Sequence, residues 1–175
     1  RQEVEQMLTL MTATKSNFPN CQYVIAGVSN LPKALYQPFE REGIKLVIDA
    51  AYDLLSVATA ALVASGTATL ETALFEVPQV VCYKTGSISY AIAKRLIRVP
   101  YISLVNLIAQ KEAVKELIQN ELTPQNITQE LQAIFPNGAK RQTQLEEYRR
   151  VKALMGEKGA SERAGEWMVK YLHQG

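Results

Sequence analysis

Four residues near the middle of the chain have the types and spacing needed to hold a phosphate and a sugar. Ser65, Gly66 and Thr67 follow an apolar run, and Glu71 comes four residues after Thr67. Glycine lets an anion approach the backbone, and the N–H groups at a helix start carry partial positive charge. Residues four apart share one helix face and lie about 6 Å apart along the axis. Because a carboxylate accepts hydrogen bonds at both oxygens, it suits a ribose diol beside a diphosphate.

The same residues also have an ordinary structural explanation. Ser65 is a good N-cap residue, and Glu71 could be a solvated residue on a helix surface. Short polar turns at strand ends are common in α/β proteins. The spacing alone therefore leaves a ligand site and a simple helix cap equally open.

A ligand site of this kind needs a parallel sheet, because ligands bind where helix N-termini converge at the carboxyl ends of the strands. The first half of the chain alternates short apolar runs with helical patterns. Strands are predicted over 21–26, 44–48, 60–64 and 79–83, and helices over 3–18, 31–42, 50–58 and 66–76. The strands are apolar on both faces, which is typical of a parallel sheet covered by helices on each side. The sequence therefore predicts an α/β fold with a Rossmann-like sheet.

The second half of the chain is predicted to be mainly helical. Helices are expected over 87–99, 111–120 and 124–135, with an irregular connection over 100–106. Residues 136–175 are rich in Arg, Lys, Glu and Gln, which indicates one or two exposed helices with a break near 156–159. We therefore expect one α/β domain over 1–135 and a C-terminal helical extension over 136–175.

Composition limits the classes of protein to consider. The 175 residues are 47% hydrophobic and 21% charged with a formal charge of +2, which fits a globular domain and argues against a dedicated nucleic-acid-binding protein. Cys21 and Cys82 lie in apolar runs and are expected to be reduced core residues. No apolar run approaches the roughly 18 residues that a transmembrane helix needs, and no signal peptide is recognised. The chain starts at Arg1 within a helical pattern, so we expect it to be a piece of a larger protein.

Three segments of the chain resemble the lipid-A-disaccharide synthase family. They are SGTATLETAL (65–74), VPQVVCYK (77–84) and PYISLVNLIA (100–109), and the resemblance runs in order over about residues 1–135. Members of that family are inverting glycosyltransferases of the GT-B fold. They transfer a diacylated glucosamine from UDP to diacylglucosamine 1-phosphate, which forms the β-1,6 disaccharide of lipid A.

The resemblance implies that this chain is the C-terminal, donor-binding half of such an enzyme. By position, Ser65, Gly66 and Thr67 are implied to hold the diphosphate of UDP, and Glu71 the ribose. The asparagine of the family's Ser-Leu-Pro-Asn segment falls on Asn106, which implies a contact with the phosphate or sugar of the donor. Without the resemblance, Asn106 could equally cap the turn that follows it.

Four residues are weaker candidates for the same site. Arg1 is either the arginine of the family's Gly-Ser-Arg turn or the residue after it, and Lys111 stands where the family has an arginine. Gly27 could let a loop pack against uracil, or it could simply end a strand. Lys84 begins a basic, apolar segment (84–98) that could rest on an anionic membrane or form an ordinary amphipathic helix.

The resemblance also implies what other parts of the protein supply. The acceptor site and the general base are expected in an N-terminal half, with the strand that precedes the first helix, so the fragment alone is expected to be inactive. The implied substrates are UDP-diacylglucosamine and diacylglucosamine 1-phosphate, at the cytoplasmic face of the inner membrane of a Gram-negative bacterium. No Asp-x-Asp motif stands at a strand end, so neither a metal nor another cofactor is expected.

Contacts at the C-terminus are expected to be structural. Trp167 and Tyr171 are expected to dock the last helix onto the N-terminal half or onto a second subunit, which leaves a homodimer open. His173 is assigned no catalytic role because it lies near the chain end.

Two other functions stay open at this point. The chain could belong to another UDP-sugar enzyme of the same fold, or it could be a non-catalytic α/β domain that binds UDP or a partner. No Gly-x-Gly-x-x-Gly follows a predicted strand, which disfavours a dinucleotide-dependent oxidoreductase.

Overall fold

The computed structural model describes residues 2–85, 100–156 and 168–171 and shows an α/β fold. The helices are α1 (Gln2–Thr12), α2 (Gln37–Arg41), α3 (Ala51–Val57), α4 (Thr67–Leu74), α5 (Leu104–Ala109), α6 (Pro124–Ile134) and α7 (Arg141–Met155). The strands are β1 (Val24–Gly27), β2 (Lys45–Ile48), β3 (Ala61–Ala64), β4 (Gln79–Tyr83) and β5 (Lys115–Ile118). Short 3-10 helices cover Ala13–Asn17, Lys33–Leu35 and Gln119–Glu121, and residues 168–171 are helical.

The strands of the described chain form two parallel sheets. One sheet pairs β1 with β2, and the other has the order β3-β4-β5. In the larger sheet Ala64 lies opposite Cys82, and Tyr83 lies opposite Ile118. Because every pair is parallel, the turns that follow β3 and β4 lie side by side at one edge of the sheet.

Helices cover both faces of the larger sheet. Val80 and Cys82 of β4 pack in a cluster with residues of α1 and α6, whereas Val81 packs with residues of α4, α5 and α7. This alternation follows from the pleat of a strand, and it places β4 at the centre of the core. In α1, Met11 belongs to the first of these clusters, and Leu8 packs against the core beneath β1 and β2. The predicted parallel sheet with helices on both sides is confirmed, and α1 connects its two parts.

Most elements of the first half were predicted close to their observed bounds. The strand expected over 79–83 is confirmed in full, and that over 60–64 begins one residue later. The strand expected over 21–26 begins only at Val24, because the N–H of Cys21 donates to the Phe18 carbonyl in a turn. The helix expected over 31–42 is divided into a 3-10 turn and α2. Pro38, in the first turn of α2, has no N–H with which to continue a helix from the preceding turn.

The helix expected over 111–120 is wrong. This segment forms β5 and then a 3-10 turn, and it buries Glu116 and Leu117, which are 7% and 2% exposed. The residues of this segment are good helix formers. The segment nevertheless pairs with the second edge of β4, and this pairing makes it a strand. The irregular connection expected over 100–106 is also partly wrong, because α5 begins at Leu104.

The C-terminal extension is more closely packed than expected. One face of α7 is buried at Gln144, Tyr148 and Val151, so the expectation of an exposed helix is wrong for that face. Gln144 pairs with the start of β4: the Gln79 N–H donates to Gln144 Oε1 (2.7 Å), and Gln144 Nε2 donates to the Gln79 carbonyl (3.1 Å). Burial raises the pKa of Tyr148 above its ordinary value. The helix ends at Gly156 with φ of +73°, which agrees with the predicted break.

Some expectations lie outside the described residues. These are the helix over 87–99 with its basic residues, Arg1, Trp167 and His173. Tyr171 is described and is 70% exposed. Within the described ranges, no helix is both long and apolar enough to cross a bilayer.

Candidate functional site

The turn between β3 and α4 places Ser65, Gly66 and Thr67 at the carboxyl edge of the larger sheet. The Ser65 N–H donates to the Cys82 carbonyl (3.3 Å), which extends the pairing of β3 with β4 by one residue. Gly66 follows with φ of +143° and ψ of −159°, a conformation that is essentially restricted to glycine. Thr67 then begins α4. Gly66 is therefore the residue that lets the chain leave the strand and enter the helix at this angle.

The backbone in front of this turn is open. A Cβ atom built on Gly66 would meet nothing within 4 Å in the described chain, and both Gly66 and Thr67 are exposed. No side chain of residues 2–85, 100–156 or 168–171 caps the first turn of α4. The N–H groups at this helix start are therefore left without a side-chain acceptor, and an anion would be favoured there.

Ser65 does not have the capping role expected from the sequence. The N-cap residue is Gly66, and Ser65 Oγ instead donates to the carbonyl of Ile102 (3.1 Å). A hydroxyl has one proton to donate, and Ser65 donates it to Ile102. In this arrangement Ser65 Oγ has no proton left to donate to a phosphate oxygen at the turn. The expected cap is therefore wrong, and Ser65 connects the open turn to the segment before α5.

Glu71 lies one helical turn after Thr67 and is half-buried. In the part of the chain that the structure describes, its carboxylate takes part in neither a hydrogen bond nor an ion pair. The inner face of α4 is formed by Thr69, Thr72 and Ala73, which are buried. The hydroxyls of the two threonines donate to carbonyls of the helix itself, so this face needs no ligand. The Glu71 carboxylate is left available to a molecule bound beside the helix start.

A second serine turn, directly before α5, is closed by a carboxylate from β5. Glu116 Oε1 accepts hydrogen bonds from Ser103 N (3.0 Å), Ser103 Oγ (2.6 Å) and Asn106 Nδ2 (2.9 Å). Glu116 Oε2 accepts the N–H of Ile102 (3.0 Å). Ser103 and Asn106 are completely buried. The start of α5 is therefore capped by Ser103 Oγ, which accepts the Asn106 N–H (3.4 Å), and Glu116 holds the two residues that precede the helix.

Asn106 lies inside this closed turn. Its Oδ1 accepts the N–H groups of Ala113 (2.8 Å) and Val114 (2.9 Å), and its Nδ2 donates to the Val114 carbonyl (2.9 Å) and to Glu116. An amide has two donors and two acceptor lone pairs, so all of them are used. The direct contact with the donor that was expected for Asn106 is not available in this arrangement. The structure shows the alternative, in which Asn106 holds the turn that follows α5.

Two of the weaker candidates have structural partners. Gly27 is buried at the end of β1, where an added Cβ would lie 2.7 Å from Ile48 Cδ1, so a larger residue would require neighbouring side chains to shift. Lys111 Nζ lies 2.6 Å from Glu147 Oε1 of α7. Neither residue is joined to the open turn by these contacts.

Lys84 is a weaker candidate that lies at the same edge of the sheet as the open turn. It follows β4, and the pairing of Ala64 with Cys82 places the residues after the two strands next to one another. Lys84 is half-buried. The backbone of Lys84 therefore lies at the same edge of the sheet as Gly66.

Sequence reasoning missed Glu116. The segment around it, Ala113–Ile118, was assigned to a helix, where an acidic residue every few positions is ordinary. The available signal was the apolar residues on both sides of Glu116, which suit a buried strand with one acid inside it.

Comparison with known proteins gives one consistent result. Residues 1–168 match the family described as lipid-A-disaccharide synthetase. A lipid-A-disaccharide synthase of Syntrophus aciditrophicus is 43% identical over 122 residues, which cover 70% of this chain and 32% of that protein. One of Anaeromyxobacter dehalogenans is 32% identical over 164 residues, or 91% of this chain and 43% of that protein.

A third relative covers almost the whole chain. The lipid-A-disaccharide synthase of Gloeothece citriformis is 32% identical over 181 residues, which cover 98% of this chain and 47% of that protein. The chain therefore spans less than half the length of these curated relatives.

Proposed function

The chain belongs to the lipid-A-disaccharide synthetase family, and we propose that it is the donor-binding half of an inverting glycosyltransferase. The proposed reaction transfers 2,3-diacylglucosamine from UDP to 2,3-diacylglucosamine 1-phosphate and forms the β-1,6-linked disaccharide. The observation that carries the proposal is the open start of α4. There Gly66 leaves the first N–H groups uncapped, and Glu71 follows one turn later with a carboxylate that has no partner among the described residues.

Each part of UDP has a matching group at this edge of the sheet. The diphosphate would lie against the N–H groups of the Gly66–Ala68 backbone, where the helix dipole favours negative charge. The ribose would lie along the next turn, with its two hydroxyls donating to Glu71. Lys84, at the end of the neighbouring strand, would add a cation to the phosphate side of the site.

The chemical step is a displacement at the anomeric carbon of the donor sugar. The 6-hydroxyl of the acceptor forms the new bond from the face opposite UDP, the bond from the anomeric carbon to the phosphate oxygen breaks, and the configuration inverts. The hydroxyl proton passes to a general base that we place in the part of the protein outside this chain. The charge left on UDP is stabilised by the uncapped N–H groups of α4, which are already oriented before the reaction. Metal independence stays a prediction.

A strand N-terminal to α1 would complete the fold. In the described residues, no strand joins β1 to β3, yet α1 packs against the cores beneath both sheets through Leu8 and Met11. A parallel strand that precedes α1 and lies between β1 and β3 would unite them. The resulting order is that of a Rossmann fold, in which the first strand lies at the centre. Its C-terminal turn would face the start of α4.

The acylated substrates also suggest where the enzyme works. Acyl chains of this kind are held in the bilayer, so an enzyme that uses them has to meet the membrane surface. We place this enzyme at the cytoplasmic face of the inner membrane.

The direct test is a transfer assay on the full-length protein with radiolabelled UDP-diacylglucosamine and unlabelled acceptor. We expect a labelled disaccharide, with and without EDTA. UDP binding without any transfer would favour the alternative, a non-catalytic UDP-binding domain. Loss of transfer with EDTA and its recovery with Mg²⁺ would contradict metal independence but not the reaction.

A further inference from the structure

We infer that Glu116 is a positioning residue for the proposed donor site and that it acts on the Ser65–Thr67 turn through Ile102. The inference rests on the proposed function, because it concerns how that same site is held in place. Glu116 lies on β5, and its carboxylate contacts the segment before α5 rather than the open turn.

The carboxylate of Glu116 is held by neutral donors. The residue is 7% exposed, and no Lys or Arg of the described residues forms an ion pair with it. The donors are two consecutive backbone N–H groups, a hydroxyl and an amide, from Ile102, Ser103 and Asn106. A buried carboxylate is costly unless such charge-assisted hydrogen bonds fill its acceptor positions. These hydrogen bonds therefore hold Glu116 and residues 102–103 in fixed positions relative to each other.

Ile102 carries this arrangement to the open turn. Its N–H donates to Glu116 Oε2 (3.0 Å), and its carbonyl accepts the proton of Ser65 Oγ (3.1 Å). The Ser65 N–H is in turn bonded to the Cys82 carbonyl of β4. Ser65 is thus held by one hydrogen bond from its side chain and one from its backbone. These two bonds restrain the backbone directly before Gly66.

Because both oxygens of Glu116 accept hydrogen bonds, replacing the residue with glutamine tests whether these bonds matter. Glu116→Gln keeps the shape of the side chain but replaces one acceptor oxygen with an NH₂ donor. If the NH₂ takes the Oε2 position, it faces the N–H of Ile102, which keeps only its longer contact with Oε1 (3.3 Å). If it takes the Oε1 position, it faces Ser103 N and Asn106 Nδ2, which are also donors. Either orientation sets donor against donor, so the segment before α5 is released.

The matched control is Glu112→Gln. It removes the same charge four residues earlier in the chain, from an exposed residue whose carboxylate pairs with Lys115 (3.1 Å). That residue makes no contact with the segment before α5 in the described structure. A change shared by both variants is therefore due to net charge, and a change confined to Glu116→Gln is due to the buried hydrogen bonds.

The test combines UDP calorimetry with hydrogen exchange of the unliganded full-length protein. For Glu116→Gln we expect a UDP dissociation constant raised about tenfold at unchanged binding stoichiometry, because the folded site is displaced rather than lost. We also expect faster exchange in both 101–106 and 64–68. The Glu112→Gln protein should match the wild type in both measurements.

Three results would overturn the inference. The first is faster exchange in 101–106 with 64–68 unchanged, since the two segments would then not be coupled. The second is a lowered stoichiometry with an unchanged dissociation constant, which is what a purely structural residue would give. The third is a wild-type response in every measurement. If the wild type does not bind UDP, the proposed function fails, and the exchange data alone decide whether Glu116 positions the turn.

A second variant keeps the test decisive if Glu116→Gln does not fold. Ser65→Ala removes only the hydroxyl that joins the open turn to the Ile102 carbonyl. We expect it to speed exchange in 64–68 while leaving 101–106 protected. Unchanged exchange in 64–68 would contradict the proposed route from Glu116 to the turn.

Discussion

The helices α4 and α5 both follow a serine-containing turn, and these two turns touch, yet only one helix start is open. At α5, Ser103 Oγ caps the helix start, Glu116 holds the two residues before it, and the Asn106 amide holds the backbone that follows. At α4, the start is uncapped in the described chain, and Gly66 adopts a conformation that other residues avoid. The first helix start has a side-chain cap within the described chain, and the second has none.

This difference shows how to separate scaffold from site when the residue types are similar. Serine and glutamate occur in both regions, so their presence does not identify the binding surface. What differs is whether the polar groups have partners within the chain. Glu116 has them and Glu71 has none among the described residues, which is why the proposed ligand contact is at Glu71.

The largest expected effect comes from breaking the closed turn at Asn106. Asn106→Ala leaves the buried N–H groups of Ala113 and Val114 without an acceptor and removes a donor to Glu116. Each of these three losses costs about 1–3 kcal/mol, so the free energy of unfolding should fall by at least about 3 kcal/mol. Urea denaturation measures this fall, and the exposed Asn120→Ala should change the value by less than about 0.5 kcal/mol. A stable Asn106→Ala protein that no longer binds UDP would instead favour direct contact with the donor.

A smaller effect is expected from closing the open turn with Gly66→Ala. The added methyl lies where the ligand would approach, and the backbone conformation costs a non-glycine residue about 1–3 kcal/mol. We expect UDP affinity to fall by about 30-fold, or about 2 kcal/mol. Gly43→Ala is the matched control, because Gly43 also has a positive φ of +76° but lies in the turn after α2. Equal losses of UDP affinity in both variants would mean that the effect is general instability.

The smallest effect is expected from Glu71→Gln, which sharpens the comparison of the two acids. The amide keeps one acceptor for the ribose, so calorimetry should show UDP affinity lowered by about tenfold. Thermal stability should be unchanged, since the Glu71 carboxylate has no partner to lose among the described residues. Glu76→Gln, at the other end of α4 and paired with Arg149 at 3.6 Å, should bind UDP like the wild type. Loss of stability in Glu71→Gln would show that this acid is part of the scaffold.

The parts of the fold that could be predicted depend on local patterns. β4 is an apolar run that begins after Pro78, and α6 begins at Pro124 with a regular helical stripe. β5 could not be predicted in this way, because its residues favour a helix and only pairing with β4 makes it a strand.

The same distinction explains what could be predicted of the site. Gly66, Thr67 and Glu71 lie on one turn and one helix, so their spacing in the sequence already describes their geometry. Asn106 and Glu116 act through partners on other elements, and these partners meet only because β5 is a strand. The intrachain partners of Asn106 could not be predicted for that reason, and the role of Glu116 was missed.

The central claim is that the backbone N–H groups at the start of α4 bind the diphosphate of UDP and that Glu71 accepts hydrogen bonds from its ribose. A crystal structure of the full-length protein with UDP tests it most directly. We expect phosphate oxygens within about 3 Å of backbone nitrogens in Gly66–Ala68, and both ribose hydroxyls within the same distance of the Glu71 carboxylate. UDP bound elsewhere, or bound with the Glu71 carboxylate turned away from the ribose, would contradict the claim.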